Sequence, residues 1–301
     1  MNAPRVAIVM LTMNQRETTL RALRSLSAED RRRHSVLVWD NGSTDGTVEA
    51  IALDFPEVAA HHHPCNLGVA SGRNAGAKLA MERFQPTHLL FLDNDLVLQE
   101  GFVTSLLEPF ARDERLGQTQ AKLLYLHDPN RINDGGGCRI NYWFGRTDPV
   151  GFKELDRGQC DDVAPCVSCG GAMMVRAEIF QQLGGFDSVF DPYGPEDLDF
   201  SLRLQKAGYR ALYIPRAVAY HEVSHSFESG GYSATYARSK ARHWLRFLRR
   251  HGSPIQRAGF FLIGAPLITL KMALRELARG NPGALVGTAR GLLEALRDRR
   301  G

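Results

Sequence analysis

The sequence predicts an α/β fold with a mainly parallel central sheet and a helical extension at its C-terminal end. Short apolar runs suited to buried strands occur at residues 6–11, 36–39 and 89–92. Leucines at helical spacing between residues 20 and 26 predict a helix behind the first run. Strands alternating with helices are typical of βαβ units. The chain of 301 residues, 44% of them hydrophobic, is long enough for one such domain with an appendage.

The run at residues 89–92 leads directly into Asp93, Asn94 and Asp95. Side chains two residues apart on extended backbone point the same way, so we expect Asp93 and Asp95 to converge while Asn94 faces elsewhere. Two carboxylates beside an apolar strand are costly to bury without a positive partner, and a hard divalent cation would supply one. The alternative is a polar exit from the strand into a loop.

Two polar loops follow the earlier strands. Asp40 ends the run at residues 36–39 and could accept hydrogen bonds from the edge of a nucleotide base, although residues 41–47 also suit a simple strand-to-helix turn. The glycine-rich residues 66–76 open another helix, where close backbone approach and the helix N-terminus favour anions. The histidines at 61–63 are more typical of a polar strand end than of a metal site.

The middle of the chain contains a long stretch and an acidic helix start. Residues 128–162 lose periodicity and offer little that would build a core, which suits either a substrate-covering loop or a poorly ordered insertion. After Pro195, the acids of residues 196–199 suit the positive end of a helix dipole. Asp199 is expected to pair with Arg203. Asp197 has no such partner at i+4, where Ser201 lies, so it is available as a general base if it faces a pocket.

Five cysteines and the absence of a secretory signal favour free thiols in a reducing, cytoplasmic compartment. Residues 6–11 are too short for a signal-peptide core. Cys160, Cys166 and Cys169 contain one Cys-x-x-Cys pair with no second pair at suitable spacing, so structural zinc is not favoured.

The C-terminal region is strongly basic. From Arg238 to Gly301 it holds 14 Lys or Arg against 3 Asp or Glu, whereas the first 237 residues hold 23 against 30. Residues 258–270 are uncharged but shorter than the roughly 20 needed to span a bilayer, and Pro266 interrupts them. A stripe at helical spacing follows, formed by Leu285, Ala289, Leu292 and Leu296. Two hypotheses stay open: peripheral attachment to an anionic membrane surface, at its inner face, or packing on the main domain or a dimer partner.

Six motifs in this order resemble the family 2 glycosyltransferases, through about residue 225. They are Thr12 with Asn14, residues 40–47, residues 66–74, residues 92–95, residues 170–172, and residues 196–199 with His221. The resemblance implies a GT-A nucleotide-sugar-binding α/β sandwich over residues 1–230, followed by a basic amphipathic helical tail at 231–301.

The resemblance also implies residue roles. Asp95 and His221 would bind Mg²⁺ or Mn²⁺ together with Asp93, which contacts ribose or metal-bound water. Asp40 would read the base, Arg73 would assist nucleotide binding, and Asp197 would be the catalytic base. The residues assigned to nucleotide binding are Thr12, Asn14, Asp40, Arg73, Asp93 and Glu196.

The implied activity is a metal-dependent, inverting transfer of a hexose or deoxyhexose. The donor would be UDP- or dTDP-linked and the acceptor a glycan or lipid-linked hydroxyl in cell-wall or cell-surface polysaccharide synthesis, as in bacterial rhamnosyltransferases. A sugar-nucleotide nucleotidyltransferase is an alternative, but its Gly-x-Gly-Thr-Arg-type signature is missing from the first strand's loop. A nucleic-acid-binding protein would explain the basic tail, yet no recognised module is present and we expect no nucleic-acid partner.

Overall fold

The structure is a computed structural model that describes residues 4–167, 170–223, 233–278 and 282–297. Its contacts divide the chain into two compact units. The larger unit comprises Met1–Cys138, Pro149–Ser188 and Asp197–Val223, and the smaller unit comprises Arg139–Asp148, Val189–Glu196 and Ser224–Gly301. The predicted domain boundary at residue 230 lies outside the described residues.

A ten-stranded mixed sheet forms the larger unit within the described residues. Its strands are β1 (Val6–Thr12), β2 (Ser35–Asp40), β3 (Ala59–His62), β4 (His88–Asp93), β5 (Leu96–Leu98), β6 (Leu116–Tyr125), β7 (Ile132–Asp134), β10 (Ala164–Pro165), β11 (Ala172–Arg176) and β12 (Arg210–His221), while β8 (Cys138–Asn141) and β9 (Arg146–Pro149) form a separate hairpin. The helices beside the sheet are α1 (Arg16–Ser25), α2 (Ala28–Arg33), α3 (Thr47–Asp54), α4 (Val69–Phe84), α5 (Phe102–Leu107), α6 (Ala177–Gln182) and α7 (Glu196–Lys206), with 3₁₀ turns at Glu108–Ala111 and Ser188–Phe190.

The order of the main strands is β10-β12-β6-β11-β4-β1-β2-β3. Strands β4, β1, β2 and β3 are parallel, and so are β12 and β6, whereas β11 runs antiparallel between β6 and β4. The α/β class is therefore confirmed. The parallel character belongs to these two groups of strands, and the antiparallel strands β5, β7, β10 and β11 make the whole sheet mixed.

Alternating strand residues build a core on each face of the sheet. On one face, Ile8 and Met10 of β1 pack in a cluster with Leu20 and Leu23 of α1. On the other face, residues such as Phe91 of β4 pack in a cluster with α4 and with the phenylalanines of the later chain. Full burial of each large apolar side chain contributes about 1.5–3 kcal/mol. Both faces are covered, which explains why these strands are continuously apolar.

The parallel strands bring polar residues to one edge. Thr12 pairs with Asp40 across β1 and β2, and Leu11 pairs with Asp93 across β1 and β4. Because the carboxyl ends of these strands meet in register, the side chains that follow the apolar runs are gathered there. This is where open α/β sheets bind their ligands.

The expectation that residues 128–162 add little to a core is wrong. Ile132 and Cys160 are buried and pack against Leu124 of β6. The buried ammonium of Lys122 binds Asp156 at 2.6 Å and Asp161 at 2.8 Å, which holds the end of this segment. The strands are too short to produce a periodic pattern, so the sequence did not reveal them.

The smaller unit contains the β8–β9 hairpin and a set of helices. The helices are α8 (Ala234–His251), α9 (Pro254–Gly259), a π turn (Phe260–Gly264), α10 (Ala265–Ala278) and α11 (Pro282–Arg297). A Cβ added to Gly287 or Gly291 would overlap the carbonyl oxygen of Ala234 or Arg238, so α11 and α8 meet backbone to backbone.

The face of α11 that packs differs from the predicted apolar stripe. The buried residues are Ala284, Gly287, Gly291 and Ala295, whereas Leu296 of the predicted stripe is 54% exposed. Small residues permit the close backbone approach that leucines would prevent, so the packed face of α11 is a different one from the apolar stripe.

The apolar segment before α11 is longer than expected. The stretch Pro254–Glu276 is helical, continues through Pro266, and is, among the described residues, the one helix whose length and composition would allow it to cross a membrane. The π turn accommodates the proline: the amide of Ala265 donates to Phe260, five residues back. The prediction that Pro266 interrupts this segment is therefore wrong.

We expect Gly291→Ala to destabilise the protein by about 1–3 kcal/mol, because its methyl group would overlap the carbonyl of Arg238. Helix propensity alone would change stability by about 1 kcal/mol in the opposite direction. Urea unfolding followed by circular dichroism measures the difference. Arg290→Ala, on the exposed face of the same helix, is the matched control. A stabilised Gly291→Ala protein would contradict this packing.

Candidate active site

The residues that follow β4 contact three different parts of the larger unit. The strand ends at Asp93, and Asn94 and Asp95 lie in a turn. Asp93 Oδ1 accepts a hydrogen bond from Arg73 Nη2 at 2.5 Å, whereas Asp95 Oδ2 lies 3.2 Å from His221 Nε2. The two carboxylates thus acquire separate partners, because the extended backbone assumed from the sequence stops at Asp93.

Asn94 is a structural link that the sequence did not identify. Its Nδ2 lies 2.8 Å from Gln15 Oε1, 3.0 Å from Thr19 Oγ1 and 3.3 Å from Thr12 Oγ1. Thr12 itself is buried and shares a 2.7 Å hydrogen bond with Thr19. These contacts fix the turn after β4 to the start of α1. They also engage Thr12, which was predicted to bind nucleotide, in hydrogen bonds within the protein.

Asp40 is buried at the end of β2, and both of its carboxylate oxygens are hydrogen bonded. Oδ1 accepts from the backbone amide of Ser43 at 3.1 Å and from the Ser43 hydroxyl, and Oδ2 lies 2.7 Å from His62 Nδ1. Asn14 binds the same loop, because its backbone N–H donates to Ser43 Oγ at 2.7 Å and its Oδ1 accepts from the backbone N–H of Thr44 at 2.8 Å. Asp40 and Asn14 are thereby brought together.

The three adjacent histidines divide between two partners, as expected for residues that alternate along a strand. His62 contacts Asp40, while the rings of His61 and His63 lie 4.6 and 5.6 Å from the ring of Trp39. His62 therefore belongs to the surroundings of Asp40, which the sequence reading did not anticipate.

Arg73 reaches Asp93 because α4 packs closely on the sheet. A Cβ on Gly72 would lie 2.7 Å from Leu11 Cδ1, and one on Gly76 would lie 2.9 Å from Val9 Cγ1. The glycines of this motif therefore allow the helix to approach β1. The guanidinium of Arg73 also lies over the ring of Phe186, 5.9 Å from its centroid.

Asp197 lies near the start of α7. Its Oδ1 accepts from the amide of Leu198 at 2.7 Å, and a Cβ on Gly170 would lie 2.5 Å from its Oδ2. Burial raises the pKa of Asp197 to about 6, the positive charge of Arg73 opposes this rise, and the negative charge of Asp93 adds to it. These charges place Asp197, Arg73 and Asp93 in one electrostatic group.

The other acids of this helix start behave differently. Asp199 binds Arg203 Nε at 2.7 Å, which confirms the predicted pair. Glu196, predicted to bind nucleotide, is buried. Asp199 is thus neutralised by an ion pair, whereas burial raises the pKa of Asp197.

Asp95 and His221 form the second group. Burial lowers the pKa of His221, but the hydrogen bond and charge of Asp95 outweigh burial, and the pKa is raised. Asp95 Oδ1 is buried and has no hydrogen-bond partner among the residues that the structure describes. An uncompensated carboxylate oxygen beside an imidazole nitrogen fits a divalent cation such as Mg²⁺ or Mn²⁺.

The third residue predicted to bind the metal, Asp93, is engaged by a guanidinium and also acts electrostatically on His221. Asp93 pairs with Arg73, and within the described ranges no group of three or more His, Cys, Asp or Glu side chains is arranged to hold a metal. Two protein ligands are compatible with Mg²⁺, which takes further ligands from water and phosphate oxygens. Cys160 and Cys166 are buried free thiols, and Cys169 lies outside the described residues.

Known proteins match much of this chain. The model of glycosyl transferase family 2 matches residues 7–184, and the model described as N-terminal domain of galactosyltransferase matches residues 165–226. N-acetylglucosaminyl-diphospho-decaprenol L-rhamnosyltransferase of Mycobacterium tuberculosis is 28% identical over 236 residues, which cover 73% of this chain and 76% of that protein. Polypeptide N-acetylgalactosaminyltransferase 8 of Drosophila melanogaster is 25% identical, over 82% of this chain and 42% of that protein.

Solved structures share the fold. The structure of GalNAc-T7 with UDP, GalNAc and Mn²⁺ matches with a TM-score of 0.64 and 16% identity, over 82% of this chain and 48% of that one. Mannosyltransferase PcManGT from Pyrobaculum calidifontis, in complex with GDP-Man and Mn²⁺, matches with a TM-score of 0.57 and 20% identity, over 98% of this chain and 76% of that one. The fold is thus the GT-A α/β fold predicted from the motifs.

We expect Asp197→Asn to stabilise the protein at neutral pH more than at pH values near 4. Because the folded-state pKa is raised to about 6, the folded protein retains a proton that the unfolded chain has lost, so wild-type stability declines as pH rises towards 6. Asparagine removes this proton linkage. Urea unfolding of both proteins across this pH range measures it, and a stability difference that does not depend on pH would contradict the raised pKa.

Proposed function

Because this chain belongs to glycosyl transferase family 2 and is therefore a glycosyltransferase, we propose that it transfers a sugar, with inversion, from a nucleoside diphosphate to a hydroxyl of a lipid-linked glycan. The observation that carries this proposal is the position of Asp197. Its carboxyl shares an electrostatic environment with the Arg73–Asp93 pair, and Asp93 also acts on His221, the partner of Asp95.

Asp95 and His221 are the proposed ligands of Mg²⁺ or Mn²⁺. When bound, the cation supplies Lewis-acid stabilisation of the negative charge on the departing diphosphate. The orphaned oxygen of Asp95 and the neighbouring His221 nitrogen support this assignment. Asp93, held by Arg73, is the proposed contact to ribose or to metal-bound water.

The nucleotide is proposed to bind along the carboxyl ends of β1, β2 and β4. Asp40 would read the base, with Asn14 in the same loop network, and Arg73 would contribute positive charge. We keep Thr12 and Glu196 among the proposed nucleotide-binding residues, although Thr12 is engaged with Thr19 and Asn94.

Asp197 is the proposed general base. A carboxyl with a pKa of about 6 is mostly ionised at neutral pH, yet it is a better proton acceptor than an ordinary aspartate. The acceptor oxygen attacks the anomeric carbon, its proton passes to Asp197, and the bond to the diphosphate oxygen breaks. A single displacement of this kind inverts the anomeric centre.

The mycobacterial relative supports the choice of acceptor and sugar. Its name specifies rhamnosyl transfer to a diphospho-decaprenol carrying N-acetylglucosamine. By analogy we propose transfer of a deoxyhexose from a UDP- or dTDP-linked donor to a polyprenol-linked acceptor in cell-surface polysaccharide synthesis.

The test combines calorimetry with product analysis. Binding of UDP, dTDP and GDP is measured with and without Mn²⁺. We expect metal-dependent binding of one nucleotide, loss of that dependence in Asp95→Asn, and retention of it in Asp197→Asn. Asp197→Asn should lower transfer by about 10²–10⁴-fold, the usual contribution of a general base.

Asp54→Asn is the matched control, because Asp54 pairs with Arg24 on the surface. It should leave both binding and transfer unchanged. A product that retains the anomeric configuration of the donor, shown by NMR, would exclude the inverting mechanism.

We also propose that the smaller unit attaches the enzyme peripherally to the inner face of the membrane. The helix of Pro254–Glu276 exposes large apolar side chains, including Leu262 at 78% and Leu274 at 63% exposure. The basic excess of the C-terminal region complements anionic headgroups. Gly259 and Gly264 pack against Trp143, so one face of the helix is covered by protein. An interfacial position with the opposite face in lipid fits this arrangement.

Replacing Leu262 and Leu274 together by glutamate should reduce binding to vesicles of anionic phospholipid at least about tenfold, since each buried leucine contributes about 1.5–3 kcal/mol. Co-sedimentation measures the change. Leu53→Glu is the matched control, because Leu53 is 83% exposed on α3. Unchanged vesicle binding would overturn this proposal. If sedimentation then showed a dimer dissociating, the face would be a subunit interface.

A further inference from the structure

A β-bulge lies in the segment that the sequence left without a function. Strand β7 pairs antiparallel with β6, and Leu123 lies opposite Asp134 while the next residue, Leu124, lies opposite Ile132. Asn133 is therefore an extra residue with no counterpart on β6. Bulges of this kind bend a strand and redirect a side chain, and they are frequent beside active sites.

The residues on both sides of Asn133 are firmly held. Ile132 is fully buried and packs against Leu124 and Cys160. Asp134 is buried as well, and its Oδ1 accepts from the amides of Gly136 and Gly137 at 2.9 and 2.6 Å. The bulge thus has a defined conformation, which fixes where the Asn133 side chain begins.

The side chain of Asn133 contacts the imidazole of His221. Its Oδ1 lies 2.9 Å from His221 Nδ1, and the other ring nitrogen, Nε2, lies 3.2 Å from Asp95 Oδ2. The backbone of His221 is fixed by pairing with Tyr125 of β6 and Leu96 of β5. The ring is consequently held from both of its nitrogens.

We propose that Asn133 is a positioning residue for the divalent-cation site, an inference that rests on the proposed function. A neutral imidazole carries one N–H, and the amide oxygen of Asn133 holds that hydrogen on Nδ1. With that hydrogen held on Nδ1, the nitrogen beside Asp95, Nε2, is the one that can offer its lone pair to a cation. Hydrogen bonds of this type orient metal-binding histidines, and their loss typically lowers metal affinity 10–100-fold.

The chemistry of the acceptor distinguishes this role from packing. Leucine has nearly the shape of asparagine but offers no acceptor to Nδ1–H. Aspartate keeps an oxygen at the same position and accepts more strongly. If Asn133 only filled space, leucine would be tolerated better than aspartate. If Asn133 positions the ring by accepting a hydrogen bond, aspartate is tolerated better than leucine.

The experiment titrates Mn²⁺ alone into the full-length protein, with free Mn²⁺ followed by electron paramagnetic resonance. Asn133→Leu should weaken Mn²⁺ binding about 10–100-fold, and Asn133→Asp should bind at least as tightly as the unchanged protein. Asn130→Leu is the matched control, because Asn130 is an exposed residue of the same segment. Circular dichroism checks that each variant is folded.

The two possible failures differ. If Asp95→Asn abolishes Mn²⁺ binding but Asn133→Leu binds normally, the role of Asn133 is wrong and the metal site stands. If the unchanged protein does not bind Mn²⁺, the proposed metal site fails, and the role of Asn133 fails with it.

Discussion

The cost of burying carboxylates governs the arrangement of the larger unit. Apolar parallel strands end in acids, and a buried ionised carboxylate without a partner costs several kcal/mol. Each acid meets this cost differently: Asp40 through Ser43 and His62, Asp93 through Arg73, and Asp95 through His221. Asp197 has less compensation, and its pKa is raised. The distribution of positive partners therefore decides which acid remains available for chemistry.

Arg73 is central to this distribution. Its guanidinium bonds to Asp93 and also lowers the pKa of Asp197, although not enough to cancel burial. Its position depends on Gly72 and Gly76, which let α4 approach the sheet. The glycine-rich residues 66–76, which in sequence suit an anion-binding loop, therefore act here through helix packing. They place the positively charged guanidinium of Arg73 at the end of β4.

Sequence patterns predicted the features that depend on residues close together in the chain. The apolar runs gave the buried strands, and spacing on one helix gave the Asp199–Arg203 pair. The resemblance placed Asp95 with His221, but the Arg73–Asp93 pair was not predictable, because it joins a helix and a strand end that are far apart in sequence. The role of Asn133 was not predictable either. A three-residue strand is too short to show an alternating pattern, and the bulge can be identified only once the pairing of β7 with β6 is known. The packed face of α11 gave no hydrophobic signal, because small residues rather than leucines form it.

Two helix contacts of the smaller unit use small residues, although α8 buries Leu245, Phe247 and Leu248 in the usual way. Helix α11 packs on α8 through Gly287 and Gly291, and the Pro254–Glu276 helix packs on Trp143 through glycines, while leucines such as Leu262 lie outside. In water this arrangement leaves large apolar side chains exposed, so the protein loses the free energy that their burial would contribute to folding. In lipid it forfeits nothing, because helices there associate through small residues and expose large apolar ones. This packing therefore favours the proposed membrane attachment of the Pro254–Glu276 helix independently of the charge of the C-terminal region.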